Sequence, residues 1–162
     1  FTPSGGRIAL PASVAEVDVG ANLAWIFGAS AQPLACVLVN DVSIPHESYY
    51  RPPVKFKCVD GFLGVGSSTR GIDQVNTDAV VLTVKVNGQE VQRVNYAETI
   101  RKSKELLADI SEFMTFQAGD VLLLGSDCLP DGKRPRAKVG DVVEVSADGF
   151  ETLVNAFTGG AA

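Results

Sequence analysis

Residues 39–62, VNDVSIPHESYYRPPVKFKCVDGF, end a buried apolar run on an amide and an acid, Asn40 and Asp41. The chain then turns through three prolines and returns two lysines and an arginine toward that acid. A carboxylate at a strand end, facing fixed cations, suits a site for small anionic substrates, because it can hold a metal or stay ionised beside Lys and Arg. The alternative interpretation is a surface turn with ordinary ion pairs.

The composition indicates one globular domain of ordinary polarity. The chain has 162 residues, of which 46% are hydrophobic and 20% charged, which is enough to bury a sizeable core. A net charge of -5 argues against nucleic acid or an anionic membrane as the partner. No apolar run approaches the ~20 residues of a membrane span. An anionic substrate must therefore be bound by local cations.

Cysteine use and the chain start bear on location and completeness. The three cysteines are odd in number and widely spaced, without a C-x-x-C pair. Reduced thiols in a cytoplasmic protein are the simplest interpretation. The chain opens on Phe1 without a Met, so we expect an upstream segment to be missing.

A short basic run lies at residues 133–138. One interpretation is that it guides a polycarboxylate substrate, and the other is that it is a solvated loop.

Hydrophobic patterning predicts mostly strands. The apolar runs 23–27 and 34–39 are typical of strands buried on both faces. Residues 79–86 and 89–94 flank Asn87-Gly88, which is the strongest short signal for a β-hairpin. Further strands are predicted at 121–124, 139–145 and 151–154.

One long helix is predicted over residues 96–114. Asn95 can cap it, and Glu98 three residues later completes a capping box. Apolar residues recur at helical spacing and should face the core; they are Ile100, Leu106, Leu107, Ile110, Phe113 and Met114.

Three motifs in order resemble the fumarylacetoacetate hydrolase family, and most closely its members in homoprotocatechuate breakdown. They are N-D-V-S at 40–43, Y-Y-R-P at 49–52 and K-C-V-D-G at 57–61. The hairpin V-N-G-Q-E-V-Q at 86–92 and the helix-to-strand passage at 107–125 are also similar to the family pattern. The resemblance extends over nearly the whole chain.

The resemblance implies a mostly β (α+β) fold, with mixed sheets in a β-roll and one main amphipathic helix. It implies one domain over residues 1–157, followed by a flexible tail at 158–162. Family members assemble as dimers or as fused halves, so we expect a homo- or hetero-oligomer with a related subunit.

The family's metal site, which suits Mg or Mn, consists of an E-x-E pair and the Asp of N-D-x-S. Asp41 matches that Asp, but the two Glu positions fall on Gly20 and Asn22, which supply no charge. The resemblance therefore implies weak or absent metal binding in this chain.

The other site residues also follow from the resemblance. Lys57 matches the family's active-site lysine, which would stabilise enolate-like charge, and with Asp41 it forms the predicted catalytic pair. Arg51 would clamp a substrate carboxylate, and Ser126 stands where the family has a hydroxyl beside the substrate. His46, the only histidine, is interpreted as a turn residue, with proton transfer as the alternative.

Two functions from different classes are expected. The first is decarboxylation of 5-oxopent-3-ene-1,2,5-tricarboxylate, by this chain or by an enzyme of which it is a subunit, with isomerase activity also compatible with the family. Such an enzyme binds a small di- or tricarboxylate. The second is a catalytically silent, metal-free half that assembles with a metal-bearing relative.

Overall fold

The computed structural model describes residues 1–46 and 53–160 of the chain. Within them are twelve strands, two α-helices and three 3-10 turns. The strands are β1 (Thr2–Pro3), β2 (Arg7–Leu10), β3 (Glu16–Asp18), β4 (Ala21–Phe27), β5 (Pro33–Asp41), β6 (Leu63–Gly71), β7 (Val81–Val86), β8 (Gln89–Asn95), β9 (Val121–Leu123), β10 (Arg136–Lys138), β11 (Val142–Ser146) and β12 (Leu153–Gly159). The helices are α1 (Val54–Lys57) and α2 (Ser103–Ser111), and the 3-10 turns are Ile72–Gln74, Thr77–Ala79 and Tyr96–Glu98.

The first five-stranded sheet has the order β1-β6-β5-β4-β9. Strands β1 and β6 are parallel, whereas the other neighbours are antiparallel. The prediction that β4 and β5 are buried on both faces is confirmed. Leu23, Trp25 and Phe27 of β4 point into the main core, and Ala24 joins Val37 in a smaller cluster on the opposite face.

The second five-stranded sheet has the order β2-β12-β11-β7-β8, and a two-stranded ribbon pairs β10 with β3. The predicted hairpin is confirmed, because β7 and β8 pair antiparallel across Asn87 and Gly88, which have φ of 52° and 79°. Strands β2 and β12 are parallel. The mixed-sheet, mostly β fold expected from the resemblance is therefore confirmed.

Two predicted strand boundaries near the C-terminus are wrong. The strand predicted at 139–145 begins only at Val142, because Gly140 has a φ of 93° and turns the chain first. The last strand was predicted at 151–154 but spans Leu153–Gly159. It is longer because β2 pairs beside it in parallel, with Gly159 opposite Leu10. Two residues of the predicted tail at 158–162 therefore lie within the sheet.

The single helix predicted over residues 96–114 is also wrong. The structure has a 3-10 turn at Tyr96–Glu98, then an extended connection, and only then α2. The Tyr96 hydroxyl is bound to the first sheet, so the chain there cannot run on as a surface helix. Asn95 caps the short turn by accepting the Ala97 N–H, and Glu105 accepts the Lys102 N–H at the true start of α2.

The apolar stripe of the predicted helix divides accordingly. Leu106, Leu107 and Ile110 are half-buried and pack against the main core, as predicted. Ile100, which precedes α2, is fully exposed, and Phe113, which follows it, is 76% exposed. Among the described residues, no helix is long and apolar enough to cross a membrane.

Candidate active site

The predicted site residues that the structure describes, Asp41, Lys57 and Ser126, lie toward one end of the first sheet. There β4 begins and β5 ends, so that Ala21 lies opposite Asn40 and Asn22 opposite Val39. The segment after β9 reaches the same end, because the Gly125 N–H donates to Asn22 Oδ1 at 2.8 Å. We call this end the site edge, and define it as Gly20, Asn22, Asn40, Asp41 and Gly125.

Asp41 and Lys57 form an ion pair at the site edge. The Lys57 ammonium donates to Asp41 Oδ2, and the two side chains are 29% and 19% exposed. Lys57 is brought there by the short helix α1, whose Phe56 carbonyl accepts the Ile44 N–H at 2.8 Å. The structure therefore joins the two residues predicted to be catalytic, and their catalytic roles stay predictions.

His46 contributes to the placement of α1. Its ring stacks on that of Phe56, with 4.5 Å between centroids and 3° between planes. Its Nδ1 lies 3.0 Å from the Ile44 carbonyl oxygen. These contacts are those of a turn residue that packs the segment after β5 against the helix carrying Lys57.

Asn40 is a site-edge residue to which the sequence assigned no role. Its side chain is fully buried, and Oδ1 accepts the Gly20 N–H at 3.1 Å. Within the described part of the chain, its Nδ2 has no hydrogen-bond partner. A buried donor without an acceptor costs folding free energy, about 1–3 kcal/mol, and is therefore unusual. Its position next to Asp41 was the only signal available in the sequence.

Gly125 is held by two side chains, whose hydrogen bonds take the place of the backbone hydrogen bonds of the sheet after β9 ends. Asn22 accepts its N–H, and the Tyr96 hydroxyl donates to its carbonyl oxygen at 2.7 Å. The same hydroxyl accepts the Leu23 N–H at 2.6 Å. Burial raises the pKa of Tyr96, so its hydroxyl stays a neutral donor and acceptor. Tyr96 was predicted only as the start of a helix.

Ser126 follows this anchored glycine, at which φ is 114°. Its hydroxyl is buried and has no hydrogen-bond partner among the residues described. With Gly125 it lines a cavity of about 440 Å³, whose other side is lined by Val94, Asn95, residues 98–101 and Leu106. Asp41 and Lys57 do not line this cavity, so the structure places Ser126 at the same sheet end but not in one pocket with them.

Two features lie outside the site edge. A larger cavity, about 550 Å³, lies near the β11–β12 turn and contains none of the predicted site residues. Arg51 and the rest of the Y-Y-R-P motif lie outside the described residues, so the predicted carboxylate clamp keeps the status of an expectation.

The residues at the site edge do not fit the Mg or Mn site that the resemblance gives for the family. A Cβ at Gly20 would lie 2.2 Å from the Asp41 carbonyl oxygen, so no acidic side chain fits there without moving the backbone. The Asn22 oxygen already accepts the Gly125 N–H, and the Asp41 carboxylate is paired with Lys57. In residues 1–46 and 53–160, no three Asp, Glu, His or Cys side chains cluster as a metal site would require.

The chain thus combines a mixed β fold with a carboxylate–lysine pair at the end of one sheet. The family model "Fumarylacetoacetate (FAA) hydrolase C-terminal" matches residues 1–158. The chain therefore belongs to the fumarylacetoacetate hydrolase family.

Two curated proteins are similar to this chain in sequence. The 4-hydroxyphenylacetate degradation bifunctional isomerase/decarboxylase of Escherichia coli is 36% identical over 154 residues, which cover 86% of this chain and 33% of that protein. Oxaloacetate tautomerase YcgM of Escherichia coli (strain K12) is 37% identical over 91 residues, covering 56% of this chain and 37% of that protein. This chain thus spans about a third of the length of these curated relatives.

Among solved structures, the 5-carboxymethyl-2-hydroxymuconate delta-isomerase from Mycobacterium smegmatis has a TM-score of 0.84 and 25% identity. The match covers 99% of this chain and 66% of that one. The structure of fumarylpyruvate hydrolase from Pseudomonas aeruginosa in complex with Mn2+ and pyruvate has a TM-score of 0.81 at 16% identity, and the match covers 98% of this chain and 74% of that one. At that identity the likeness shows the fold alone.

Proposed function

We propose that this chain is a decarboxylase domain or subunit that acts on 5-oxopent-3-ene-1,2,5-tricarboxylate in homoprotocatechuate degradation. The observation that carries the proposal is the half-buried Lys57–Asp41 pair at the end of the first sheet. The similarity to the Escherichia coli 4-hydroxyphenylacetate degradation bifunctional isomerase/decarboxylase supports a decarboxylase or isomerase activity. The substrate class, a small polycarboxylate with an oxo group, is part of the proposal.

The chemistry needs a fixed positive charge. Decarboxylation breaks the bond between a carboxylate carbon and the carbon that carries it, and CO2 leaves. The electron pair of that bond passes through the conjugated double bond to the oxo group, which becomes an enolate and is then protonated on carbon. An ammonium at the developing oxyanion lowers the barrier, and Asp41 orients the Lys57 ammonium for that task. The same enolate would serve an isomerase, because both reactions pass through it.

Two further residues complete the proposed binding site. The Arg51 guanidinium would bind a substrate carboxylate through two parallel hydrogen bonds. The Ser126 hydroxyl, buried without a partner among the described residues, lines the adjacent cavity and would donate to a substrate group that extends into it. We place the protein in the cytoplasm, where its three free cysteines stay reduced, and in an oligomer with itself or a related subunit.

A second candidate function is a catalytically silent half. The observation that favours it is the donor set at the site edge, where Gly20 and Asn22 stand at the positions of the family's acidic ligands. The chain also spans only about a third of its curated relatives. In this alternative, a related subunit binds Mg or Mn and performs the reaction, while this chain serves assembly.

Lys57→Met distinguishes the two functions. The methionine keeps most of the apolar stem and removes the charge, so we expect turnover to fall by about 10²–10³-fold with little change in melting temperature. The matched control is Lys55→Met, which removes the same charge from an exposed position of the same helix. The rate of decarboxylation is measured as CO2 release at steady state, with and without a metal-bearing relative.

The outcomes separate cleanly. If Lys57→Met and Lys55→Met both turn over like an active wild type, Lys57 has no part in the mechanism. If the wild type is inactive alone and adds nothing to the activity of a metal-bearing relative beyond stabilising it, the decarboxylase proposal fails and the silent half stands.

A further inference from the structure

The basic run at residues 133–138 reaches the site edge through one of its members. Arg134 is half-buried, and its Nη1 lies 3.0 Å from the point where a Cβ on Gly20 would be. The guanidinium therefore fills the space that a side chain at position 20 would enter. Gly20 lies against the Asp41 backbone, since its carbonyl oxygen accepts the Asp41 N–H at 2.8 Å. Arg134 thus places a cation beside Gly20, the position at which the resemblance would place an acidic ligand.

The backbone on both sides of Arg134 is fixed. The Lys133 carbonyl accepts the Leu129 N–H at 2.7 Å, which closes the preceding loop. The Pro135 carbonyl accepts the Val19 N–H at 2.8 Å, and Pro135 itself is buried. Because two backbone hydrogen bonds flank it, Arg134 is presented to the site edge by the fold and not by a free loop.

The cations near the site edge differ in whether a carboxylate pairs with them. Arg136 is paired with Asp18, at 2.6 Å, and with Glu16. Lys57 is paired with Asp41. For Arg134, by contrast, no carboxylate of residues 1–46 or 53–160 lies within the 4.0 Å of an ion pair. Arg134 therefore brings to the site edge a positive charge that no ion pair neutralises within the described part of the chain.

This arrangement disfavours a divalent cation and favours an anion. A dication would find one carboxylate, already paired with Lys57, and would be repelled by the guanidinium of Arg134. We propose that Arg134 supplies, at the site of the function proposed above, the fixed positive charge for which relatives use a metal. The ligand class is an α-oxo carboxylate or its enolate, bound by the planar guanidinium fork without any metal.

The test is binding of oxalate, a stable mimic of such an enolate, to the full 162-residue chain by isothermal titration calorimetry. We expect saturable binding in EDTA, with a Kd that added Mg2+ does not tighten. Arg134→Gln should weaken that binding by about 10- to 100-fold, because it removes a charge-assisted pair. Arg134→Lys, which keeps the charge and loses the fork, should be intermediate.

The control is Lys133→Gln, an exposed neighbour whose loss changes the net charge equally and should leave the Kd within about twofold. Melting curves of all variants verify folding. Equal oxalate binding by wild type and Arg134→Gln would overturn the proposal, as would binding that requires Mg2+ or no saturable binding by the wild type. Since no turnover is measured, this result is independent of whether the decarboxylase assignment holds.

Discussion

The site edge of the first sheet contrasts with a polar cluster on the second sheet, formed by Asn87 and Asp141. In that cluster the Asn87 amide donates to Asp141 Oδ1, and the Lys138 N–H donates to Asp141 Oδ2, both at 2.9 Å. Asn87 Oδ1 in turn accepts the Val142 N–H at 2.9 Å. The polar groups there bind one another in contact with solvent and close a hairpin.

The site edge is partly buried, and it and the adjoining Ser126 include buried polar groups without partners. Within the described residues, Asn40 Nδ2 and the Ser126 hydroxyl have no partner, although both are buried. Proteins rarely leave such groups unpaired, because each costs free energy. The satisfied cluster at the surface contributes to stability, whereas the unpaired groups at and beside the site edge are available to bind a ligand.

The largest loss of stability is expected from a change at Tyr96, whose hydroxyl anchors the site edge. Tyr96→Phe leaves the Leu23 N–H and the Gly125 carbonyl without their partner, and we expect a loss of about 1–3 kcal/mol in unfolding free energy. Urea denaturation measures this loss. Hydrogen exchange should also show faster exchange at the Leu23 amide, because its acceptor is gone.

Thr99→Val is the control for that experiment. It removes a hydroxyl that donates to the Tyr96 carbonyl at 2.9 Å in the same turn but, among the described residues, makes no side-chain hydrogen bond to the site edge. A loss for Tyr96→Phe no larger than for Thr99→Val would show that the tyrosine is not the anchor of the Gly125 segment.

A smaller effect is expected in the satisfied cluster. The hydrogen bond from Asn87, with that from the Lys138 N–H, lowers the pKa of Asp141 below its usual 3.8. Asp141→Ala should cost about 1 kcal/mol at pH 7, or a fall of about 2–4 °C in Tm. Because the folded state favours the ionised form, the stability difference should shrink as the pH falls below about 4.

Melting curves of wild type and Asp141→Ala from pH 7 to pH 3 test this sign. Asp148→Ala, at an exposed turn of the same sheet, is the matched control and should show no such convergence. A gap between wild type and Asp141→Ala that stays constant or widens at low pH would contradict the assignment.

The smallest effect is expected in an experiment without substitutions, which compares the reaction rates of the three cysteine thiols. Burial in the first sheet raises the pKa of Cys36 to about 11, while Cys58 and Cys128 are exposed. At pH 8 we expect two thiols per chain to react rapidly with a disulfide reagent and the third only after unfolding, because the thiolate is the nucleophile. Three equally fast thiols would show that the β5 layer opens readily.

The sequence alone determined the features that depend on neighbouring residues. Asn87-Gly88 favours the left-handed conformations that a tight hairpin requires, so that turn is encoded locally. Continuous apolar runs predicted β4 and β5, and the spacing of three motifs identified the family. The same motifs predicted Asp41 and Lys57 to be catalytic; the structure joins them in an ion pair, and their catalytic roles stay predictions.

Only the tertiary structure decided what depends on distant contacts. The helix predicted from residue 96 is interrupted because the Tyr96 hydroxyl binds Leu23 and Gly125, which lie far from it in the chain. Asn22, expected at a ligand position, instead holds the Gly125 N–H. Arg134 reaches Gly20 because the ribbon of β3 and β10 aligns their segments, and no local periodicity encodes that approach. Local patterns set the conformations of short segments, but the packing of strands remote in sequence determines which side chains share a site.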